Sequence, residues 1–538
     1  MNFRRIFRAL LTLFCILYFT PVQSQLFNEQ TFKFSKALDL INTYYVDTVN
    51  QDKLVEAAII KMMQSLDPHS SYLTPKEVKD LNEPLQGNFE GVGISFNIFR
   101  DTILIISTIL GGPSEKLGIM AGDRIIKIDG KNVASIGITN NDVLSKLRGK
   151  KGTKVDVSIK RKGIKELLDF TIVRDKIPIY SIDAAYKIDS DIGYIKLDRF
   201  SATTNTEFEQ AMKKLQADST GGIKSLILDL ADNGGGYLEE AVYLANQFLD
   251  DDKLIVYTQG LHNPRMEYKA KAKGLFEKGK LVILIDEGSA SASEILAGAI
   301  QDWDRGIIVG RRSFGKGLVQ RPFYLNDGSM IRLTVARYYT PTGRLIQKPY
   351  NNGYEEYEKD LVNRYNNGEL NNKDSIHFPD SLKFYTLVDK RPVYGGGGIM
   401  PDFFVPIDTS GYSDYYRDMI RKGILNKFVL NYIDNNRHQL KTNYPDFKTY
   451  NNNFVISDNI LNDLSGFAEK EGLKNNNTQF NFSRNEISRL LKAYIARDLF
   501  DTNEFYQIMN QDDPIVKKAI DVIKNWKARK KTLMKKIN

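Results

Sequence analysis

Cysteine is nearly absent from this sequence. The one residue of its kind, Cys15, sits inside an apolar run at the N-terminus, so a chain that loses this run has neither disulfides nor a thiol nucleophile. Histidine is scarce too, with four in 538 residues, and none of His69, His262, His377 and His438 falls into a His/Cys/Asp cluster with metal-ligand spacing. No metal and no cofactor is implied. Long apolar runs are missing apart from Ala9–Phe19, which is shorter than the roughly 20 residues a membrane helix needs. Arg4, Arg5 and Arg8 precede that run, and Val22-Gln-Ser24 follows it with small residues. This is the pattern of a secretory signal peptide over 1–25, cut near Ser24/Gln25, with a retained membrane anchor as the alternative. Phe14 spoils a lipoprotein signal at Cys15. The compartment implied is periplasmic or extracellular, with membrane association under the anchor alternative.

A basic body is also lacking. Of the net charge of +9, the first 25 residues carry +3 and residues 514–538 carry +8, which leaves −2 for everything between. Nucleic acid is therefore not a partner. The basic tail reads as a solvated helix face, with a weak contact to anionic lipid head groups as the other option.

The stretch that organises the chain is Asp286-Glu-Gly-Ser-Ala-Ser-Ala-Ser-Glu-Ile295, taken with Ser313-Phe-Gly-Lys-Gly-Leu-Val-Gln320. Leu281–Ile285 reads as a buried strand, and from Ser291 to Ile300 the apolar residues recur at helical spacing. A serine at such a turn faces helix-terminal amides and the positive end of the helix dipole, which favours a nucleophile and an adjacent oxyanion. The plainer reading is a capping box, Ser291 with Glu294. Lys316, set between glycines and flanked by Phe314, Leu318 and Val319, is placed to lose proton affinity by desolvation and to act as a general base. Gln320 is placed to hold it by a hydrogen bond. With no histidine nearby in sequence, a Ser-Lys pair is the economical arrangement.

The run S-A-S-A-S-E-I-L-A-G-A-I-Q-D followed by S-F-G-K-G-L-V-Q resembles the C-terminal processing peptidases, also called tail-specific proteases. The resemblance implies that Ser291, the middle serine, is the nucleophile. It further implies that Lys316, 25 residues later, is the base and that Gln320 supports it. Ser289 and Ser293 are then structural neighbours. In the family a glycine-rich loop after a buried strand supplies an oxyanion-hole amide. Here that loop is Asp229-Leu-Ala-Asp-Asn-Gly-Gly-Gly236, with Ala231 and Gly234 where the family carries arginine and proline. The donors implied are the amides of Gly235 or Gly236 together with Ala292, and the extra glycine makes the loop potentially more flexible.

The resemblance also implies a fold: a multidomain α/β protein with a crotonase-like peptidase core. The expected divisions are an N-terminal helical segment over 26–85, a PDZ domain over 86–176, the core over 177–408 and a helical extension over 409–538. In the PDZ unit, Phe89-Glu-Gly-Val-Gly-Ile-Ser-Phe96 offers outward amides. Gly91, Val92, Gly93 and Ile94 would receive a substrate's terminal carboxylate, and Leu144 and Leu147 would line the side-chain slot or simply fill the core. His69, in the turn Leu66–Leu73, is read as structural. Asn326-Asp-Gly328 marks a hairpin, and Gly395–Gly398 either closes the core or forms a hinge. The expected activity is secreted serine endopeptidase, with protein substrates that bear free C-termini. A PDZ-based binding scaffold with an inert body and an acyl-CoA enzyme of crotonase type are the competitors. The sequence names no activating partner.

Overall fold

The structure, a computed structural model, describes residues 29–217, 222–250 and 252–534. The expected signal peptide and Cys15 lie outside the described residues. Among the described residues no helix is long and apolar enough to cross a membrane. The chain divides into two compact units, residues 1–66 and 67–538. In the first, helices Glu29–Tyr44 and Gln51–Gln64 are described, the second capped by Asn50, whose side chain accepts from the Lys53 amide. The division falls inside the helical segment expected over 26–85. The turn at Asp67 and helix Pro75–Gln86, which starts with a Thr74–Glu77 capping box, belong to the second unit.

Within that second unit, strands Asn88–Gly91 and Asp175–Pro178 pair antiparallel where the chain enters and leaves the PDZ domain. Between them runs an antiparallel sheet in the order Ile94–Ile98, Ile103–Thr108, Arg124–Ile128, Lys154–Lys160, Leu168–Val173. Val143 and Leu147 from helix Asn140–Leu147 fill its core with Ile103, Ile105, Ile125 and Ile159. Strand Ile94–Ile98 is the sheet's edge.

The expected core is built on a six-stranded sheet. Its order is Ile182–Asp189, Ile192–Leu197, Ser225–Asp229, Lys280–Ile285, Ile307–Gly310, Phe403–Phe404, parallel except for the first pair. The central strands read as unbroken apolar runs because both faces are covered. Helices Thr204–Gln216, Leu238–Asn246 and Ala292–Asp302 cover one face through Phe208, Leu244 and Leu296. The other face, with Ile227, Val282 and Val309, packs against Ile515, Val516, Ala519, Val522 and Ile523 of helix Pro514–Lys524. The helical extension thus completes the core's second layer. Its basic residues stay on the solvent side of the helices and pair with nearby acids: Lys524 with Asp189, Lys530 with Asp389, and Lys518 and Arg529 with Asp521.

A second sheet carries strands Leu318–Tyr324 and Met330–Tyr339, paired antiparallel around the expected turn, with Gly328 at φ 84°. The four glycines pack as a closure of the core. Gly396 and Gly398 donate to Leu345 and Ile346, and a Cβ on Gly398 would lie 2.6 Å from the Ser313 carbonyl oxygen.

Candidate active site

Strand Lys280–Ile285 delivers the chain to a turn that ends at Ser291, from which helix Ala292–Asp302 starts. Ser291 has φ 56° and ψ −112°, a region that side-chain-bearing residues avoid and that persists only where the surroundings enforce it. Ser289, wholly buried, receives the Asp286 amide and donates to the Leu230 carbonyl; Ser293 donates to the Asn233 carbonyl. Both flanking hydroxyls therefore bind the neighbouring glycine loop to the turn, and only Ser291 faces the cavity.

Glu294 is the residue that joins the two motifs. At 1% exposure, its carboxylate accepts from the amides of Ser291 (2.9 Å), Gly315 (2.7 Å) and Lys316 (2.9 Å) and from the Ser313 hydroxyl. The capping pair read from the sequence is thus present, and it also fixes the lysine's backbone relative to the serine's. Burial raises the Glu294 carboxyl, while its four donors lower it. Tyr338, buried, adds a second tie by donating to the carbonyls of Ser291 and Lys316. The sequence showed Glu294 only as a cap, and Tyr338 comes in through strand register that no local pattern encodes.

Ser291 and Lys316 line one cavity of about 590 Å³ together with Gly235, Gly236, Ala292, Gln320, Arg332 and Tyr338. Burial pushes the Lys316 ammonium down to about 8; the nearby Arg332 charge adds to this, and Glu294 and Asp67 oppose it. Gln320 lines the cavity, but its side-chain amide donates to Thr334 Oγ1 at 3.3 Å rather than to Lys316, and Thr334 Oγ1 donates to Asp67 at 3.0 Å. Among the described residues the expected direct bond to Lys316 is not made, because the strand pairing Gln320↔Thr334 places those two side chains together and turns Gln320 into this relay. His69 is held by Tyr357 at 2.8 Å, and burial, then the Lys316 charge, drive its pKa down to about 3. It is neutral at physiological pH and held in place by Tyr357.

The glycine loop is anchored and has little of the freedom its third glycine suggested. Asn233, fully buried, donates to the Leu197 carbonyl and accepts from the Gly235 amide at 2.9 Å. The Gly235 carbonyl in turn receives the Phe200 amide. This removes Gly235 as an oxyanion donor, since its N–H is spent inside the loop. Gly235 serves by being small: at φ 99°, a Cβ there would stand 2.8 Å from the Ser291 Cβ and 2.9 Å from the Ala292 nitrogen. Among the described residues no acceptor meets the amides of Gly236 and Ala292.

In the PDZ domain, Gly91, Val92 and Gly93 are buried and Ile94 opens the edge strand. Gly93 takes φ 73°, and the Val92 carbonyl accepts from the Ser114 hydroxyl and amide. Leu147, at 4% exposure, belongs to the domain's core rather than to a ligand slot, because helix Asn140–Leu147 turns it inward beside Val143. Leu144 is half-buried and stays available.

A partly buried serine at a strained helix start, a lysine of depressed basicity and an attached PDZ sheet define a serine-type peptidase of PDZ-bearing type. The sequence matches peptidase family S41 over residues 191–355, a PDZ domain over 91–172, the activating protease CtpB N-terminal domain over 20–77, and a family of unknown function over 415–501. It is 38% identical over 320 residues to a carboxy-terminal-processing protease of Bartonella bacilliformis, covering 59% of this chain and 73% of that one. It is likewise 38% identical over 317 residues to the carboxy-terminal processing protease CtpA of Bacillus subtilis, covering 59% and 66%. Among solved structures, the photosystem II D1 C-terminal processing protease aligns at 30% identity and a TM-score of 0.33, over 59% of this chain and 90% of that one. The chain belongs to peptidase family S41, among the carboxy-terminal processing proteases.

Proposed function

We propose that the protein is an exported endopeptidase that holds a substrate's free C-terminus on its PDZ domain and cuts upstream with a Ser291–Lys316 dyad. The observation that carries this reading is the Glu294 carboxylate, which accepts from the backbone amides of both residues at 2.9 Å beside a cavity that both line. Neutral Lys316 takes the proton of the Ser291 hydroxyl as its oxygen attacks the scissile carbonyl. The tetrahedral oxyanion is received by the amides of Gly236 and Ala292 at the positive end of helix Ala292–Asp302. Lys316 then gives the proton to the leaving amine, and a water molecule, deprotonated by the same amine, releases the acyl group. The loop pinned by Asn233 keeps its donors in place before substrate arrives. An extended C-terminus adds to the free edge of strand Ile94–Ile98, with its carboxylate on the amides of the Gly91–Ile94 turn and its last side chain toward Leu144. Export is supported by the basic, apolar and small-residue pattern of residues 1–25.

The test is turnover of an unfolded protein by Ser291→Ala, Lys316→Ala and the double variant. Each single change is expected to abolish cleavage, and the double variant to be no worse, because the two groups act as a unit. Near-normal turnover by Lys316→Ala would require another base.

A further inference from the structure

The PDZ edge strand borders a second cavity, of about 690 Å³, that shares no lining residue with the Ser291 cavity. Three parts of the chain build it. The PDZ domain contributes Ser95 and Asn97, the catalytic core Asp183, and the helical extension Arg497, Asp498 and Asp501. The walls are tied together: Arg124 of the PDZ domain pairs with Asp434 of the extension at 2.7 Å, and Lys162 donates to the Asp434 carbonyl. On the other side, Asn503 receives the Ala185 amide of the core at 3.0 Å.

The lining is acidic and incompletely satisfied. Asp498, with its side chain at 2% exposure, accepts from Arg497 through Oδ1, while among the described residues no donor meets its Oδ2. Arg437, outside the lining, also acts on Asp498. A buried carboxylate oxygen without a donor is costly, and a ligand that supplies one recovers that cost. Asp501 caps its helix through Oδ1, and Asp183 accepts from Tyr506.

Strand geometry says what reaches this place. Ile94, Phe96 and Ile98 pack toward the PDZ core, so Ser95 and Asn97 face the opposite way, onto the cavity. A peptide added to the strand alternates likewise. With its last side chain toward Leu144, its next-to-last side chain points to the Ser95 side. We infer that the cavity is a second specificity site, in which the helical extension and the core read the next-to-last residue of the substrate and select a lysine or arginine. This rests on the proposed reading that the PDZ domain holds the substrate's C-terminus.

The experiment uses full-length Ser291→Ala protein and fluorescein-labelled ten-residue peptides with an apolar last residue. Lysine, alanine or glutamate is placed next to last, and each peptide is made with a free or an amidated end. Anisotropy titration is expected to give the lysine peptide an affinity roughly five- to tenfold above that of the alanine peptide, with glutamate the weakest. Asp498→Asn should shrink the lysine preference to within about twofold. Because that change disturbs a buried ion pair, Ser95→Lys is the second variant: it brings a cation to the cavity from an exposed PDZ position and should cause the same loss while free ends still bind better than amidated ones. Equal binding of the three free peptides, or preference for glutamate, overturns the inference while leaving C-terminal reading intact. Equal binding of free and amidated peptides overturns both.

Discussion

Lys316→Met should make the protein more stable and inactive. Burial holds the wild-type lysine at about 8 against an ordinary 10.5, a gap of roughly 2.5 units at about 1.4 kcal/mol each. Because the side chain keeps some solvent contact, about 2–3 kcal/mol is the expected penalty of carrying this charge at pH 7. The sign follows from the depressed pKa. Below pH 8 the lysine is charged in both folded and unfolded chains, and the folded state bears the whole penalty. Between pH 8 and 10.5 the folded protein gives up the proton before the unfolded chain does, so wild-type stability rises and the advantage of methionine fades. Thermal or urea unfolding of wild type and variant at pH 7 and at pH 10.5 measures this. A methionine variant no more stable than wild type at pH 7, or a gain of the same size at both pH values, would refute the idea that desolvation is what tunes the base.

Two further outcomes follow from packing. Gly235→Ala places a methyl 2.8 Å from the Ser291 Cβ, and kcat/KM should fall on the order of a hundredfold or more while peptide binding to the PDZ domain is unchanged; full activity would mean the glycine loop does not bound the reaction centre. Removing residues 409–538 strips Ile515, Val516, Val522 and Ile523 from the sheet face of Ile227, Val282 and Val309, so the truncated chain should melt lower and aggregate; a soluble, fully active truncation would show the extension to be an independent appendage.

The two motifs that meet in the cavity were legible because each is short, local and chemically distinctive: serines at a strand-to-helix turn, and a lysine bracketed by glycines and apolar residues. The PDZ unit was legible from the glycines of Phe89-Glu-Gly-Val-Gly-Ile-Ser-Phe96. What the sequence hid depends on partners far apart in the chain. The Gln320–Thr334–Asp67 relay needs the register of two paired strands and a turn more than 250 residues upstream. Which glycine amide of the loop stays unspent could not be read by counting glycines, because it turns on the Asn233 side chain, which takes the Gly235 amide and leaves Gly236. Leu144 and Leu147 look equivalent at helical spacing, and only the three-dimensional packing turns one inward. The basic tail is the solvated helix face its sequence suggested, with Lys517, Lys524, Lys527 and Lys531 exposed, and only the acids its cations meet at Asp189, Asp389 and Asp521 could not be read in advance.

The central claim is that a neutral Lys316 activates Ser291, and the most direct test is the pH dependence of single-turnover cleavage of an unfolded protein. The rate should climb about tenfold per unit on the acid side and level off above the lysine's pKa, near 8. A single-turnover rate that stays flat from pH 6 to pH 10 would contradict it.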